Sequence, residues 1–161
     1  MNHSHPDGRL VLASQNRHKL AELRDLLARA GLDPTLLEPA PPGLEVVEDG
    51  ETFAENAIKK AVTVARITGC RALADDSGLE VEALDGHPGV RSARFAGEPA
   101  NDENNNRKIL ELLAGQSNRR ARFRCVLALS DAEGRTRTVE GRCEGVLGLS
   151  PRGKNGFGYD P

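Results

Sequence analysis

At 161 residues the chain has the length of one domain with a substantial core, and is short for two independent ones. Charged residues make up 29%, yet the formal net charge is only -2, which excludes a global basic field of the kind that draws in nucleic acid or a membrane surface. Any charged ligand must therefore be held by a local site. Aromatic residues are scarce at 3%, with no Trp, so the expected core is an α/β core of Leu, Val and Ala, and a stacking ring would be a rare resource.

The opening "MNHSHPDGR" has no apolar targeting segment, and nowhere is an apolar run long enough to span a bilayer, so the expected location is cytoplasmic. Residues 1–8 are expected to be flexible, with His3 and His5 as bystanders rather than metal ligands. "NHS" at Asn2 is a glycosylation pattern without a secreted context.

"RLVLAS" reads as a short buried strand. "QNRHKLAELRDLLARAG" follows, with Leu20, Leu23, Leu27 and Ala30 at helical spacing and Gly31 as a stop. "DPTLLEPAPPGLEVVEDG" is a Pro- and Gly-rich connector with at most one short strand, and its end is acidic through Glu45, Glu48 and Asp49. "TFAENAIKKAVTVARITG" has Thr52 and Glu55 in capping-box spacing, Phe53, Ala57, Ala61 and Val64 or Ala65 on one face, and Gly69 as a stop, which predicts a second helix.

"RALA" and "GLEVEAL" read as two strands around an acidic turn, so Asp75 and Asp76 are expected where the strands meet. "DGHPGVRSARFAGEPA" reads as a loop with one helical turn. "NDENNNRKILELLAG" predicts a third helix capped by Asn101 or Asp102 and ended at Gly115. "ARFRCVLALSD" and "RTRTVEGRCEGVLGL" flank the turn signal "DAEG" and predict an antiparallel hairpin. The sheet is expected to be mixed, with helices covering it.

Chemistry is suggested at few places. "ASQNRHK" puts backbone N–H groups and Lys19 at the positive end of a helix, a site suited to phosphate, although no Walker glycines are present. "GLSPRGKN" nearly spells a P-loop but has Asn155 where Ser or Thr should bind magnesium, and "GFGYDP" after it has no helical pattern. The glycines there fit a tight loop displaying Phe157 or Tyr159. For "DDSG", one reading is a turn capped by its own carboxylates; the other is that at least one of them binds Mg²⁺, because a hard cation takes oxygen ligands and offsets phosphate charge.

Arg119, Arg120, Arg122 and Arg124 form the one basic cluster; alternation with Phe123 and Cys125 makes Arg122 and Arg124 the solvated outer face of a strand rather than an RNA surface. Cys70, Cys125 and Cys143 contain no C-x-x-C pair and are expected as buried, inert thiols. His18 and His87 lack partners at metal-ligand or nucleophile spacing.

Taken in order, "SQNRHK", "TFAENAIKKA", "ADDSGLEVEALDGHPGVRSARFAG" and "GFGYDP" resemble the signature blocks of the noncanonical purine nucleoside triphosphate pyrophosphatases, the inosine triphosphate pyrophosphatase family. The resemblance runs from about residue 9 to the last residue. It implies an α/β fold with an elongated mixed β-sheet and flanking helices, two lobes around a nucleotide-binding cleft, and a homodimer. The implied activity is Mg²⁺-dependent hydrolysis of ITP, dITP and XTP to the monophosphate and pyrophosphate, cleansing the nucleotide pool. No nucleic-acid or membrane partner is implied.

Carried onto this chain, the resemblance implies that the segment Ser14, Gln15, Asn16, Arg17, His18 and Lys19 holds the triphosphate, with Ser14, Asn16 and Lys19 foremost. Glu48, or Glu45 in another register, would share Mg²⁺ with Asp76. Asp76 resembles the proton acceptor and Ser77 a substrate contact. Phe157 resembles the residue that stacks on the base, and Gly158, Tyr159 and Asp160 resemble the segment lining the base pocket. Members of the family continue beyond "GFGYDP" with further phosphate- and base-contacting residues, whereas this sequence stops at Pro161, so the expectation is a single, C-terminally truncated pyrophosphatase domain. The alternative is a nucleotide-binding module whose turnover is impaired by that loss.

Overall fold

A computed structural model describes residues 8–161; the expectations for His3, His5 and nearly all of the 1–8 terminus lie outside the described residues. The sheet has five strands in the order β2-β1-β3-β4-β5. These are β1 (Leu10–Leu12), β2 (Leu37–Pro39), β3 (Arg71–Val81), β4 (Arg120–Ser130) and β5 (Thr136–Val146). Three helices accompany them: α1 (Arg17–Arg29), α2 (Phe53–Thr68) and α3 (Asp102–Leu112). β1 pairs in parallel with β2 and with β3. The connection of five residues between β4 and β5 is too short for a parallel crossover, so those neighbours are antiparallel and the sheet is mixed as expected.

The described residues form two compact units, the first made of residues 8–76 and 126–139, the second of 77–125 and 140–161. In the first unit, Val64 and Ala65 of α2 pack with Val11, Ala40, Cys70 and Ala72. α2 carries its cap as the sequence predicts: the Thr52 hydroxyl accepts from the Glu55 N–H, and Gly69 closes the helix with a positive φ of 68°. Both Val64 and Ala65 are buried, along with Phe53, Ala57 and Ala61. In the second unit, Leu79, Val81, Ile109, Leu113 and Ala121 form the core, flanked by Phe95, Leu147 and Tyr159. α3 is capped by Asn101, whose side chain accepts from the Asn104 N–H.

Three expectations change. "RALA" and "GLEVEAL" are not two strands around a turn: β3 runs unbroken from Arg71 to Val81, with Asp75 and Asp76 inside it. The backbone stays extended there because each carboxylate finds a partner on its own side of the sheet, so the Asp pair has no need of a turn of its own.

Arg122 and Arg124 are not simply solvated either. Glu80 of β3 accepts from Arg122 Nε at 2.5 Å and from Arg124 at 2.9 Å, and Glu140 of β5 pairs with Arg124 at 2.7 Å. Arg119 spends its guanidinium on the carbonyls of Leu113, Leu147 and Gly148. These three arginines are thus engaged in cross-strand and loop bonds. Finally, Cys70 is buried as expected, but Cys125 of β4 is half-buried, and Cys143 is exposed because it lies on β5, an edge strand with almost every side chain open to solvent.

No helix of the described residues is long and apolar enough to cross a membrane. "GFGYDP" forms turns and no helix, which removes the P-loop reading of "GLSPRGKN".

Candidate active site

β1 ends at Leu12, opposite Leu73 of β3, and β3 continues past it. Asp75 and Asp76 therefore stand just beyond the carboxyl end of β1, beside the loop that leads into α1. Open α/β sheets place their ligand sites at such strand ends. Successive residues of a strand face opposite sides of the sheet, so the adjacent acids are divided between two helices.

On one side is α1. Asn16 caps it, its side-chain oxygen accepting from the N–H groups of His18 and Lys19, and the Ser14 hydroxyl accepts from the Asn16 N–H. This arrangement turns Lys19, in the first helical turn, onto Asp75, with Nζ 2.6 Å from Oδ2. Burial would lower the Lys19 pKa, but Asp75, reinforced by Glu48 and Asp76, holds it above the ordinary lysine value. The Gln15 amide instead donates to the carbonyls of Ala40 and Pro41, fastening the connector. Arg17 and His18 lie at the surface of the first turn.

On the other side is α2. Asn56, in its first turn, donates to Asp76 Oδ2 at 2.9 Å, and Lys60, one turn on, reaches Glu48 at 3.0 Å. Asp76 is 6% exposed. Burial pushes its pKa up to about 6, nearby Glu48 adds to the rise, and Asn56, Lys60 and Lys19 restrain it. The acidic connector is tied to the same place: Asn56 accepts from the Gly50 N–H, and Lys59 pairs with Asp49. Glu48, Asp75 and Asp76 thus meet Lys19, Lys60 and Asn56 in one constellation of the first unit.

Sequence reasoning finds Lys19, Glu48 and Asp76 but misses Asn56 and Lys60. Both lie on the buried stripe with Phe53, Ala57, Ala61 and Val64, and polar residues within an apolar helical stripe are the signal that marks them.

Glu48 and Asp76 suit a magnesium ion. They are two hard oxygen donors close enough to perturb one another, and burial together with Glu48 raises the Asp76 pKa. Among the described residues no group of three or more His, Cys, Asp or Glu could hold a metal, so an ion here would take few carboxylates and complete its shell with water and phosphate oxygens, as magnesium does.

Ser77 follows Asp76 on β3 and is exposed. In the second unit the 156–161 segment is held by α3: Gly158 N–H donates to Asp102, and the Gly158 carbonyl accepts from Asn106. Asp160 accepts from the Phe157 N–H, and the Tyr159 hydroxyl donates to the Ser92 carbonyl at 2.6 Å. Burial, and then Asp102, push the Tyr159 phenol up, which suits a fixed hydrogen-bond donor. Phe157 and Gly158 line a cavity of about 730 Å³ together with Asn106, Arg107, Leu110 and Pro151. Tyr159 and Asp160 line a second one, of about 530 Å³, with Phe123 and Leu147.

The sequence pattern of the Ham1 family matches residues 10–161. The chain belongs to that family. Among curated Ham1 relatives, a dITP/XTP pyrophosphatase of Desulforamulus reducens is 56% identical over 155 residues, spanning 95% of this chain and 77% of its own length. One from Geobacter sulfurreducens is 54% identical over 157 residues, spanning 95% and 78%. Among solved structures, a HAM1 protein from Coxiella burnetii superposes with a TM-score of 0.82 at 44% identity, covering 95% of this chain and 79% of that one. The family resemblance read from the sequence blocks, and the mixed sheet with flanking helices, are thereby borne out.

Proposed function

We propose that this chain is a nucleoside triphosphate pyrophosphohydrolase that hydrolyses noncanonical purine nucleotides such as dITP and XTP to the monophosphate and pyrophosphate, with Mg²⁺ as cofactor. The observation that carries the reading is that a buried acid, Asp76, stands among two lysines and a second acid at a strand end, in a chain over half identical to enzymes named dITP/XTP pyrophosphatase.

The residues divide the work. Lys19 and Lys60 are held in place by Asp75 and Glu48, so each presents its remaining N–H donors to phosphate oxygens from a fixed position. The positive end of α1 adds to the field that favours an anion. Asp76, with Oδ2 fixed by Asn56, orients a water and accepts its proton through the other oxygen, so that attack falls on the α-phosphorus and pyrophosphate leaves. Mg²⁺, held by Asp76 and Glu48, would supply charge neutralisation at the phosphates. As the negative charge of the transition state grows, Lys19 stabilises it without having to reorganise. Phe157 stacks on the base, and hydrogen-bonding groups beside it favour a 6-keto purine over adenine, because a 6-amino analogue would leave buried polar groups unpaired; rejection of guanine, itself a 6-keto purine, would have to come from its 2-amino group.

The test is pyrophosphate release from dITP and XTP against dATP and dGTP, with Mg²⁺ and with EDTA, in ¹⁸O-labelled water. Expected are metal-dependent turnover of dITP and XTP and label in the nucleoside monophosphate. Label in the pyrophosphate instead would place the attack at the β-phosphorus and refute the mechanism.

A further inference from the structure

We infer that Asn56 is a positioning residue for the reaction: its carboxamide sets the Asp76 carboxylate and the Glu48-bearing connector in one register. This deepens the proposed function and rests on it, since it takes Asp76 as the reacting carboxylate.

Asn56 is 2% exposed and among the largest fully buried side chains. Burying a carboxamide in the first turn of a helix costs free energy unless both of its ends are satisfied, and an aliphatic residue would pack there with less penalty. Both ends are satisfied. Nδ2 donates to Asp76 Oδ2 at 2.9 Å, and Oδ1 accepts from the Gly50 N–H at 2.8 Å. The bonds join three separate pieces of chain: the acidic connector, the start of α2 and β3.

The geometry has a chemical consequence. A donor on Oδ2 fixes the carboxylate plane and directs Oδ1 at what must be bound or deprotonated. A carboxylate free to rotate would lose that direction, and misplacement of a reacting group by about 1 Å costs on the order of a hundredfold in rate. Gly50 lies two residues after Glu48, so the same amide that aims Asp76 also fixes where Glu48 meets Lys60.

The fit leaves little latitude. A Cβ on Gly50 would stand 2.6 Å from Asn56 Oδ1 and 2.9 Å from Glu55 Cβ, so the connector passes Asn56 at a distance only glycine allows. Asp at position 56 would oppose one carboxylate with another, and Gln would overreach by a methylene.

The experiment uses the full chain and the variants Asn56→Leu and Gly50→Ala, measured for dITP hydrolysis, for equilibrium binding of the unhydrolysable α,β-imido analogue of dITP, and for thermal unfolding. Asn56→Leu keeps the branched outline of the side chain, though not its volume, and removes both bonds; Gly50→Ala disturbs the same contact from its other side. Expected for both is a fall in kcat of about 10- to 100-fold, with analogue affinity within about threefold of wild type. A purely structural role would lower both quantities together through loss of folded protein.

Wild-type kcat in folded Asn56→Leu overturns the inference, as does analogue affinity that falls as far as kcat. Failure of both variants to fold also overturns it, by making the role one of stability. A wild-type chain that does not hydrolyse dITP refutes the functional reading first, and this inference with it, whereas an active wild type beside a fully active variant refutes this inference alone.

Discussion

Lys19 Nζ stands 2.6 Å from Asp75 Oδ2, joining the first turn of α1 to the middle of β3 across 56 residues of sequence. The Asp75 side chain is 8% exposed and that of Lys19 25%. The adjacent acids of "DDSG" are therefore not a bare repulsive pair: one is matched by a lysine, and the other by the Asn56 amide, with burial holding its pKa above the ordinary value. On the proposed function, Asp75 serves structure and Asp76 the chemistry.

Lys19→Met leaves the Asp75 carboxylate buried without its ammonium partner. We expect a loss of about 1–3 kcal/mol, below the full cost of breaking a buried pair because Lys19 is partly open to water. In an Asp75→Asn background the same substitution should cost little stability, while dITP hydrolysis stays depressed, since phosphate has lost its lysine in either background. Denaturant unfolding of the four proteins, beside their rates, separates the two roles. Activity restored in the double variant would show that Lys19 acts only through Asp75.

Asp76 gives a pH dependence of definite sign. Its pKa rises from 3.8 in the unfolded chain to about 6 in the fold, so the folded state holds more protons between those values. The stability associated with its neutral form is fully present below about pH 4 and is lost as pH rises through about 6. With metal chelated at pH 7.5, the native protein should be less stable than Asp76→Asn by up to about 3 kcal/mol, and the difference should shrink towards pH 4. The same variant should lose at least about a hundredfold in kcat. Denaturant unfolding across the pH range reads the first effect and steady-state kinetics the second. A flat stability difference across that range would mean that Asp76 is not held in its neutral form.

The opposite sign belongs to Glu80. Burial would raise its pKa, but hydrogen bonds and charge from Arg122 and Arg124 hold it below the ordinary value. Its contribution is present above about pH 4.5 and is lost as pH falls through the lowered pKa. Glu80→Gln should cost about 1 kcal/mol at neutral pH and less in acid, with dITP hydrolysis unchanged. Chemical unfolding at the two pH values reads the stability, and a large loss of turnover would move the arginine network into the active site.

The parts of this architecture legible in the sequence are those set by local rules. Thr52, Glu55 and Gly69 bound α2 and Gly31 follows α1, because caps act within a few residues; the alternation around Phe123 marks β4 as a strand but misassigns its faces, since Phe123 is exposed and Arg122 and Arg124 are half-buried. What stays hidden depends on distant partners. β3 reads as two strands because paired acids, Ser and Gly are turn residues unless Lys19 and Asn56 satisfy them from elsewhere. The resemblance implies Asn16 as a phosphate ligand; that its side-chain oxygen also caps α1 is set by the local helix start. Lys60 and Asn56 are marked in the apolar stripe of α2 only as polar residues out of place, because periodicity says that a position is buried and not what it meets there.

The base side of the reaction is tested at Phe157. Its backbone is held by Asp160, and the next residue is pinned to α3 from both sides by Asp102 and Asn106, so the ring is displayed from a loop that does not have to order itself on binding. Stacking contributes about 1–3 kcal/mol per base and is indifferent to the pattern of hydrogen-bonding groups. Phe157→Ala should therefore raise KM for dITP and XTP alike, by about 5- to 150-fold, with a smaller change in kcat. Asn106→Ala removes one pin and leaves the ring, so it should raise KM in the same direction but less, through the entropy of an unfastened loop. Steady-state kinetics on both substrates check the pair. Equal KM for wild type and Phe157→Ala would remove the ring from the base site, whereas a rise in KM for one base alone would show that Phe157 selects among purines rather than merely holding them.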